Sequence, residues 1–288
     1  VDIALALPNA VRATPGRDLL AWAVEGERAG FSTLATLDRL VYDNHESLTT
    51  LAAAAAVTEQ VRLLTAILIA PLHTNTALLA KQLATVDRLS GGRLTVGAAV
   101  GARPDDFRAA GADHAHRGRR FDEQLAELRR LWGGERRGFA GGVGPAPTTP
   151  GGPPLVLGGH SPAALRRVAA HGTGWISGSG GPGMFRQGAA AVTAGWRETG
   201  RPGRPRLLAL LYFSLGDDAE ALAGGYLNDY YGFAPGYARS VVAASAIGAA
   251  ALRRSVAEFA AAGCDELVLA PCSSGLDQVK LLRDELPG

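Results

Sequence analysis

Residues 76–101 read TALLAKQLATVDRLSGGRLTVGAAVG, and this stretch decides the fold. Its first half repeats apolar residues at helical spacing (Leu79, Ala80, Leu83, Val86), with Lys81, Gln82 and Arg88 on the other face. Gly91-Gly92 stops that helix. Arg93 to Val100 then runs on as a short apolar segment too brief for a second helix, and Gly101 follows. A helix, a glycine turn and a buried strand in so few residues form the repeating unit of a parallel sheet with crossover helices.

The same unit recurs in both directions. Strands are expected at Ile3–Leu7, Phe31–Leu37, Arg62–Ile69, Arg93–Val100, Leu155–Leu157, Trp175–Ser177, Arg206–Phe213 and Glu266–Ala270. Helices are expected between them, near 17–29, 47–59, 76–89, 105–132 (broken near Gly111), 162–171 and 182–199, with a last one reaching about Leu286. Gly133–Pro154 is dense in glycine and proline and reads as an irregular loop before strand five. Asp217–Gly263, between strands seven and eight, reads as a broken helical insertion. Eight alternations point to one (β/α)8 TIM barrel over residues 1–288, near the typical size of ~250 residues, with an open doubly wound sheet as the alternative.

Composition limits the function classes. Hydrophobic residues make up 47% and charged residues 19%, which argues for a packed core rather than disorder. A net charge of +2 gives no electrostatic reason for a nucleic-acid or membrane partner. Two cysteines, Cys264 and Cys272, fit neither a disulfide framework nor CxxC chemistry, so a reducing cytoplasm is expected. HExxH and GxSxG are missing, so zinc-protease and acyl-transfer readings have no motif and no metal site is expected; the barrel reading leaves no dinucleotide-binding fold in this chain either.

In a parallel barrel the reacting groups stand after the C-terminal ends of the strands. Strand two is followed by Asp38, Arg39, Tyr42 and His45, strand three by His73, and strand four by Gly101, Ala102 and Arg103. His45 and His73 are of a residue type suited to acid–base work, or serve simply as helix-start residues. Gly158-Gly159-His160-Ser161-Pro162 places flexible glycines before a Ser N-cap and a Pro at the first helical turn. Such a helix start can hold a phosphate, or be a capped helix and nothing more.

Several of these segments resemble the bacterial luciferase-like family of flavin and deazaflavin oxidoreductases: Thr36–Leu40, Ala80–Leu94, Asp106–Gly111, Arg117–Glu123 and Gly158–Ile176. The resemblance covers roughly the first two-thirds of the chain and is carried most specifically by Leu89-Ser90-Gly91-Gly92-Arg93-Leu94. It implies a (β/α)8 barrel enzyme with the cofactor ring in the mouth. Asp38 would border the ring, and Val100, Gly101 and Ala102 would contact the ring or ribityl chain. A cis, non-proline bond would fall at Ala66–Ile67, and Gly158, Gly159, His160 and Ser161 would hold the phosphate. Two positions depart from the family. Val100 stands where some members carry a phosphate-binding arginine, leaving that task to Arg103 or Ser161, and Arg39 stands where many have histidine.

Three functions follow as alternatives: a monooxygenase using reduced FMN and oxygen on a small organic substrate, a hydride-transfer enzyme using an F-420 type deazaflavin, or a non-catalytic flavin-binding barrel. The first would need a separate flavin reductase. Tyr226, Tyr230, Tyr231, Phe233 and Tyr237 would line the substrate side, and the alanine-rich outer helices would suit a homodimer interface.

Overall fold

The computed structural model describes residues 1–286. Eight parallel strands close on themselves: β1 (Asp2–Ala6), β2 (Thr33–Thr36), β3 (Arg62–Thr65, resuming at Leu68–Ile69), β4 (Leu94–Ala99), β5 (Leu155–Gly158), β6 (Gly174–Ser177), β7 (Arg206–Ser214) and β8 (Glu266–Pro271). Each pairs with the next, and β8 returns to β1 in the register Asp2↔Glu266 to Leu5↔Leu269. That last pairing makes the sheet a barrel and excludes the open alternative.

Both faces of every strand are covered, which is why the strands read as apolar runs rather than alternations. Leu5, Leu34, Leu63, Val96, Leu157, Trp175 and Leu267 pack outward with the helices in one core. Ala4, Ala35, Leu64, Val156, Ile176, Leu208 and Val268 fill the interior as a second. The interior is thus a packed core, and ligand space has to lie above it, at the strand ends.

The barrel floor is polar and closed. Glu266, 1% exposed, accepts from Ser32 Oγ (2.6 Å), Thr33 Oγ1 (2.5 Å), Arg62 Nη2 (3.0 Å) and Arg206 Nη2 (2.8 Å). A buried carboxylate persists because its oxygens are paired with these cations and hydroxyls.

The helices follow the strands: α1 (Gly16–Arg28), α2 (Ser47–Val57), α3 (Thr76–Leu89), α4 (Pro104–Ala109), α5 (Arg117–Trp132), α6 (Pro162–His171) and α7 (Gly181–Glu198). The insertion after β7 resolves into α8 (Ala219–Tyr230), α9 (Pro235–Ala244), a two-residue strand Ala246–Ile247 and α10 (Ala249–Ala261), and α11 (Asp277–Glu285) ends the chain's helices. Three expectations are refined. Strand three is not continuous, because the Ala66–Ile67 bond is cis and pairing resumes only at Leu68↔Ala98. The helical stretch 105–132 becomes α4 and α5, parted by a turn through Gly111 at φ +63°. The glycine- and proline-rich loop carries a small antiparallel hairpin, Arg136–Gly138 with Gly141–Gly142.

Cys264 and Cys272 are free and buried, and burial pushes both thiols up to about 12. Among the described residues no helix is long and apolar enough to cross a membrane.

Candidate functional site

The end of β3 organises the mouth. Asp38, half-buried just beyond β2, accepts a hydrogen bond from the Ile69 amide at 2.8 Å. Burial pushes its carboxyl up to about 6, and that amide bond opposes the rise. From the other side, Gly101 follows β4 at φ +73°, and any Cβ there would run into the Ile69 side chain. Gly158 closes β5, and a Cβ there would strike Ile67 and meet Ala99 at 3.4 Å. Three strand ends therefore converge on the segment Ala66–Ile69. Val100, half-buried, and Ala102, exposed, flank Gly101 on the same rim.

The β5 loop forms an open cradle. Gly159 holds φ +116°, a conformation that a side chain would strain, and its carbonyl accepts from Trp175 Nε1 at 2.9 Å. Ser161 caps α6 by accepting from the Ala164 amide at 3.2 Å, and Pro162 occupies the first turn. His160 packs edge-on against Trp175, with ring centroids 5.3 Å apart, and burial biases its ring toward the neutral form. His160 and Ser161 face solvent. An exposed start of a ten-residue helix, entered through two glycines, fits an oxyanion such as a cofactor phosphate.

The two histidines sit differently. His45 Nε2 lies 2.7 Å from the Thr14 carbonyl, and its amide donates to the Asn9 carbonyl at 2.9 Å, so this residue ties the β2 loop to the β1 loop. Half-buried His73 follows a short turn after β3, where burial lowers its pKa and the Glu46 charge opposes the shift. The same Glu46 charge adds to the rise at Asp38.

The far wall is aromatic and cationic. All six tyrosines of the chain join in one aromatic network, edge-to-face except for the tilted Tyr226–Tyr230 pair: Tyr42 to Tyr230 (5.2 Å), Tyr230 to Tyr226 (5.5 Å) and Tyr231 (5.0 Å), Tyr231 to Tyr237 (5.2 Å), and Tyr212 to Tyr226 and Tyr231 (6.1 Å each). Tyr212 and Tyr231 also share a hydroxyl hydrogen bond of 2.9 Å. Four of the six lie in β7, α8 and α9 and Tyr231 directly follows α8, so the insertion after β7 is brought over the mouth as expected. Phe233 joins this wall only through Arg103, whose guanidinium stands 4.0 Å from its ring centroid.

Arg39 Nη1 donates to the Tyr230 carbonyl at 2.9 Å, and Arg103 Nη2 donates to the same oxygen. The end of α8 is latched a second time: Asp229 pairs with Arg12 at 3.0 Å and accepts from the Tyr42 hydroxyl. Asp106, fully buried, accepts from the amides of Leu40 (3.2 Å) and Val41 (2.6 Å), fixing the loop that carries Arg39.

The structure thus brings Asp38, Ala66, Ile67, Val100, Gly101 and Gly158 together, joins Arg39 to Arg103, and keeps His45 in a scaffold contact. Sequence reasoning gave no role to Asp106 or to the Tyr230 carbonyl. Asp106 carried a signal, an acid at the start of a short helix beside the rim, whereas a main-chain oxygen carries none.

Comparison with known proteins adds three findings. Residues 4–277 match the model of a family described as luciferase-like monooxygenase. Over 165 residues the chain is 34% identical to an FMNH2-dependent dimethylsulfone monooxygenase of Pseudomonas putida, covering 52% of this chain and 45% of that protein. Over 180 residues it is 34% identical to an F420-dependent glucose-6-phosphate dehydrogenase of Beutenbergia cavernae, covering 57% of this chain and 53% of that protein. The chain spans about half the length of the curated relatives it matches. The crystal structure of a monooxygenase from Streptomyces bottropensis superposes with a TM-score of 0.82 at 21% identity, covering 99% of this chain and 98% of that one, a likeness of fold.

Proposed function

The chain belongs to the luciferase-like monooxygenase family, and from that premise we propose that it is a flavin-dependent oxidoreductase, a monooxygenase using reduced FMN and oxygen on a small organic substrate. The observation that carries this reading is the convergence of Asp38, Gly101 and Gly158 on the segment Ala66–Ile69, with the Gly158–Ser161 cradle at its edge. A phosphorylated tricyclic cofactor matches that donor set: small residues where a flat ring approaches the backbone, and a helix start where a phosphate ends.

When bound, reduced flavin supplies the electrons that activate oxygen. The residues of this chain do the rest. Gly158, Gly159, His160 and Ser161 hold the phosphate, and Val100, Gly101 and Ala102 border the ring and its side chain. Asp38 holds a proton or accepts one at the rim, its carboxyl titrating close to neutrality. His73, biased toward its neutral form by burial, is the acid–base candidate. The tyrosine wall excludes water from the mouth and offers an apolar body of substrate its surface. A separate reductase in the same reducing compartment would supply reduced FMN, because the closed barrel lacks the open-sheet switch point at which dinucleotides bind. A homodimer through the alanine-rich outer helices belongs to the same reading.

One observation favours a second reading. Arg39 and Arg103 lie together in the mouth, and a long anionic coenzyme tail would suit them. A deazaflavin of the F-420 type would then move a hydride without oxygen. The deciding experiment incubates the protein with chemically reduced FMN under labelled oxygen and a panel of small organic substrates. Labelled oxygen in a product supports the monooxygenase. Substrate-dependent reduction of the deazaflavin under anaerobic conditions, with no labelled product, replaces it with the hydride-transfer enzyme.

A further inference from the structure

Two cations at the mouth, Arg39 and Arg103, lack an ion-pair partner among the described residues. Arg103 is 6% exposed. Asp106, whose charge acts on Arg103, accepts from the amides of Leu40 and Val41 through Oδ1 and leaves Oδ2 buried without a hydrogen bond, paired with neither arginine. Both guanidiniums instead converge on one neutral acceptor, the Tyr230 carbonyl. That oxygen ends α8 and carries only part of a charge, about half a unit when the whole helix terminus is counted. Arg39 Nε and Arg103 Nη1 remain buried without a hydrogen-bond partner.

Apart from Asp106, what surrounds the two guanidiniums is aromatic. The Arg103 guanidinium lies over Phe233 (4.0 Å), Tyr230 (4.9 Å) and Tyr231 (5.7 Å), and Arg39 lies over Tyr42 (4.3 Å) and Tyr230 (5.1 Å). Ring faces stabilise a cation without neutralising it. A buried, unneutralised guanidinium costs several kcal/mol, and two side by side repel each other. Planar forks of this kind match the oxygens of a carboxylate or a phosphate, and burial strengthens such a bond.

We propose that Arg39 and Arg103 form an oxyanion site that takes the carboxylate or phosphate group of a molecule bound at the mouth, in the acceptor position that the Tyr230 carbonyl now fills. This inference rests on the reading of the mouth as the ligand face and deepens it. We take the anion to be a group on the substrate, whose apolar body then lies among the tyrosines, since the phosphate of the cofactor is assigned to the Gly158–Ser161 cradle.

Calorimetric titrations separate this source from the cofactor's phosphate without using turnover. The wild-type protein, R39M, R103M and the charge-keeping R103K are titrated with FMN, with riboflavin (which lacks the phosphate), with benzoate and with inorganic phosphate. If the site takes the cofactor's phosphate, the preference for FMN over riboflavin falls about tenfold or more in R39M and R103M, the loss expected for one charge-assisted hydrogen bond. If it takes a group on the substrate, that preference is unchanged, while the wild type binds benzoate or phosphate in a salt-sensitive way and the two variants bind it about tenfold more weakly. R103K retains the charge and reports the loss of the fork should R103M not fold. The inference is overturned if the FMN preference falls in R39M and R103M, or if the binding of both small anions is the same in wild type and every folded variant. Failure of FMN and riboflavin to bind at all would sink the flavin reading alone, because benzoate and phosphate still report on the arginines.

Discussion

Asp38 shows how one residue joins site and stability. Its carboxyl titrates at about 6 in the folded chain, against an ordinary 3.8, because burial disfavours the charged form. A carboxyl raised in this way contributes stability that is fully present below 3.8 and is lost as pH rises through about 6. Melting temperature followed from pH 4 to 7 should therefore show a falling contribution in the wild type that Asp38→Asn removes. Equal pH profiles for the two proteins would refute the assignment. Gly101 tests the same rim by shape. Gly101→Ala places a Cβ against Ile69 at a backbone angle of φ +73°, and should destabilise by about 1–3 kcal/mol in urea unfolding. Both residues were legible as strand-end polar and glycine positions, and the resemblance named their neighbourhood. The Tyr230 carbonyl was not, since every residue has one and only the tertiary path of α8 brings this one between Arg39 and Arg103.

Among the elements, α3 and α6 were read to their boundaries because their ends are written in local chemistry. Asn75 and Ser161 accept hydrogen bonds from the amides of Leu78 and Ala164, and Gly91 and Gly172 follow the last turns. The interruption of β3 has no local signature in composition, since Leu64, Ala66 and Leu68 continue one apolar run; it was placed only by resemblance. The hairpin within 133–154 escaped because its strands are three and two residues long and nearly all glycine and arginine. The cap at α6 yields a prediction with two readouts. Ser161→Ala should cost about 1 kcal/mol of stability by denaturant titration. If the cradle also holds the phosphate, it should weaken FMN and leave riboflavin unchanged. A stability loss with unaltered FMN binding would make Ser161 a cap alone. The latch on α8 gives another. Tyr42→Phe removes a hydroxyl bonded to Asp229 and should speed hydrogen exchange in the last turn of α8, while exchange in α6 stays as it is. No change in α8 would mean that Arg12, Arg39 and Arg103 suffice to hold it.

For the molecule as a whole, eight alternations of strand and helix pointed to a closed barrel over an open sheet, and the structure closes it. Closure depends on β8 meeting β1 some 260 residues away, a contact no local pattern encodes. The finished barrel separates its tasks between two ends. Glu266 and its two arginines seal the floor, and the ligand groups gather at the rim. Glu266→Ala leaves Arg62 and Arg206 without their shared carboxylate and should lower unfolding stability by about 3–5 kcal/mol. Because the floor is remote from the rim, cofactor affinity of the folded fraction should not change.

The measurement that reaches the central claim most directly is a titration of the protein with reduced FMN and, in parallel, with the F-420 type deazaflavin, under anaerobic conditions. Saturable one-to-one binding of reduced FMN, abolished by Gly158→Val through the clash its side chain makes with Ile67, is the result predicted. Binding of neither cofactor by the folded wild-type protein would contradict the account of the rim as a cofactor site.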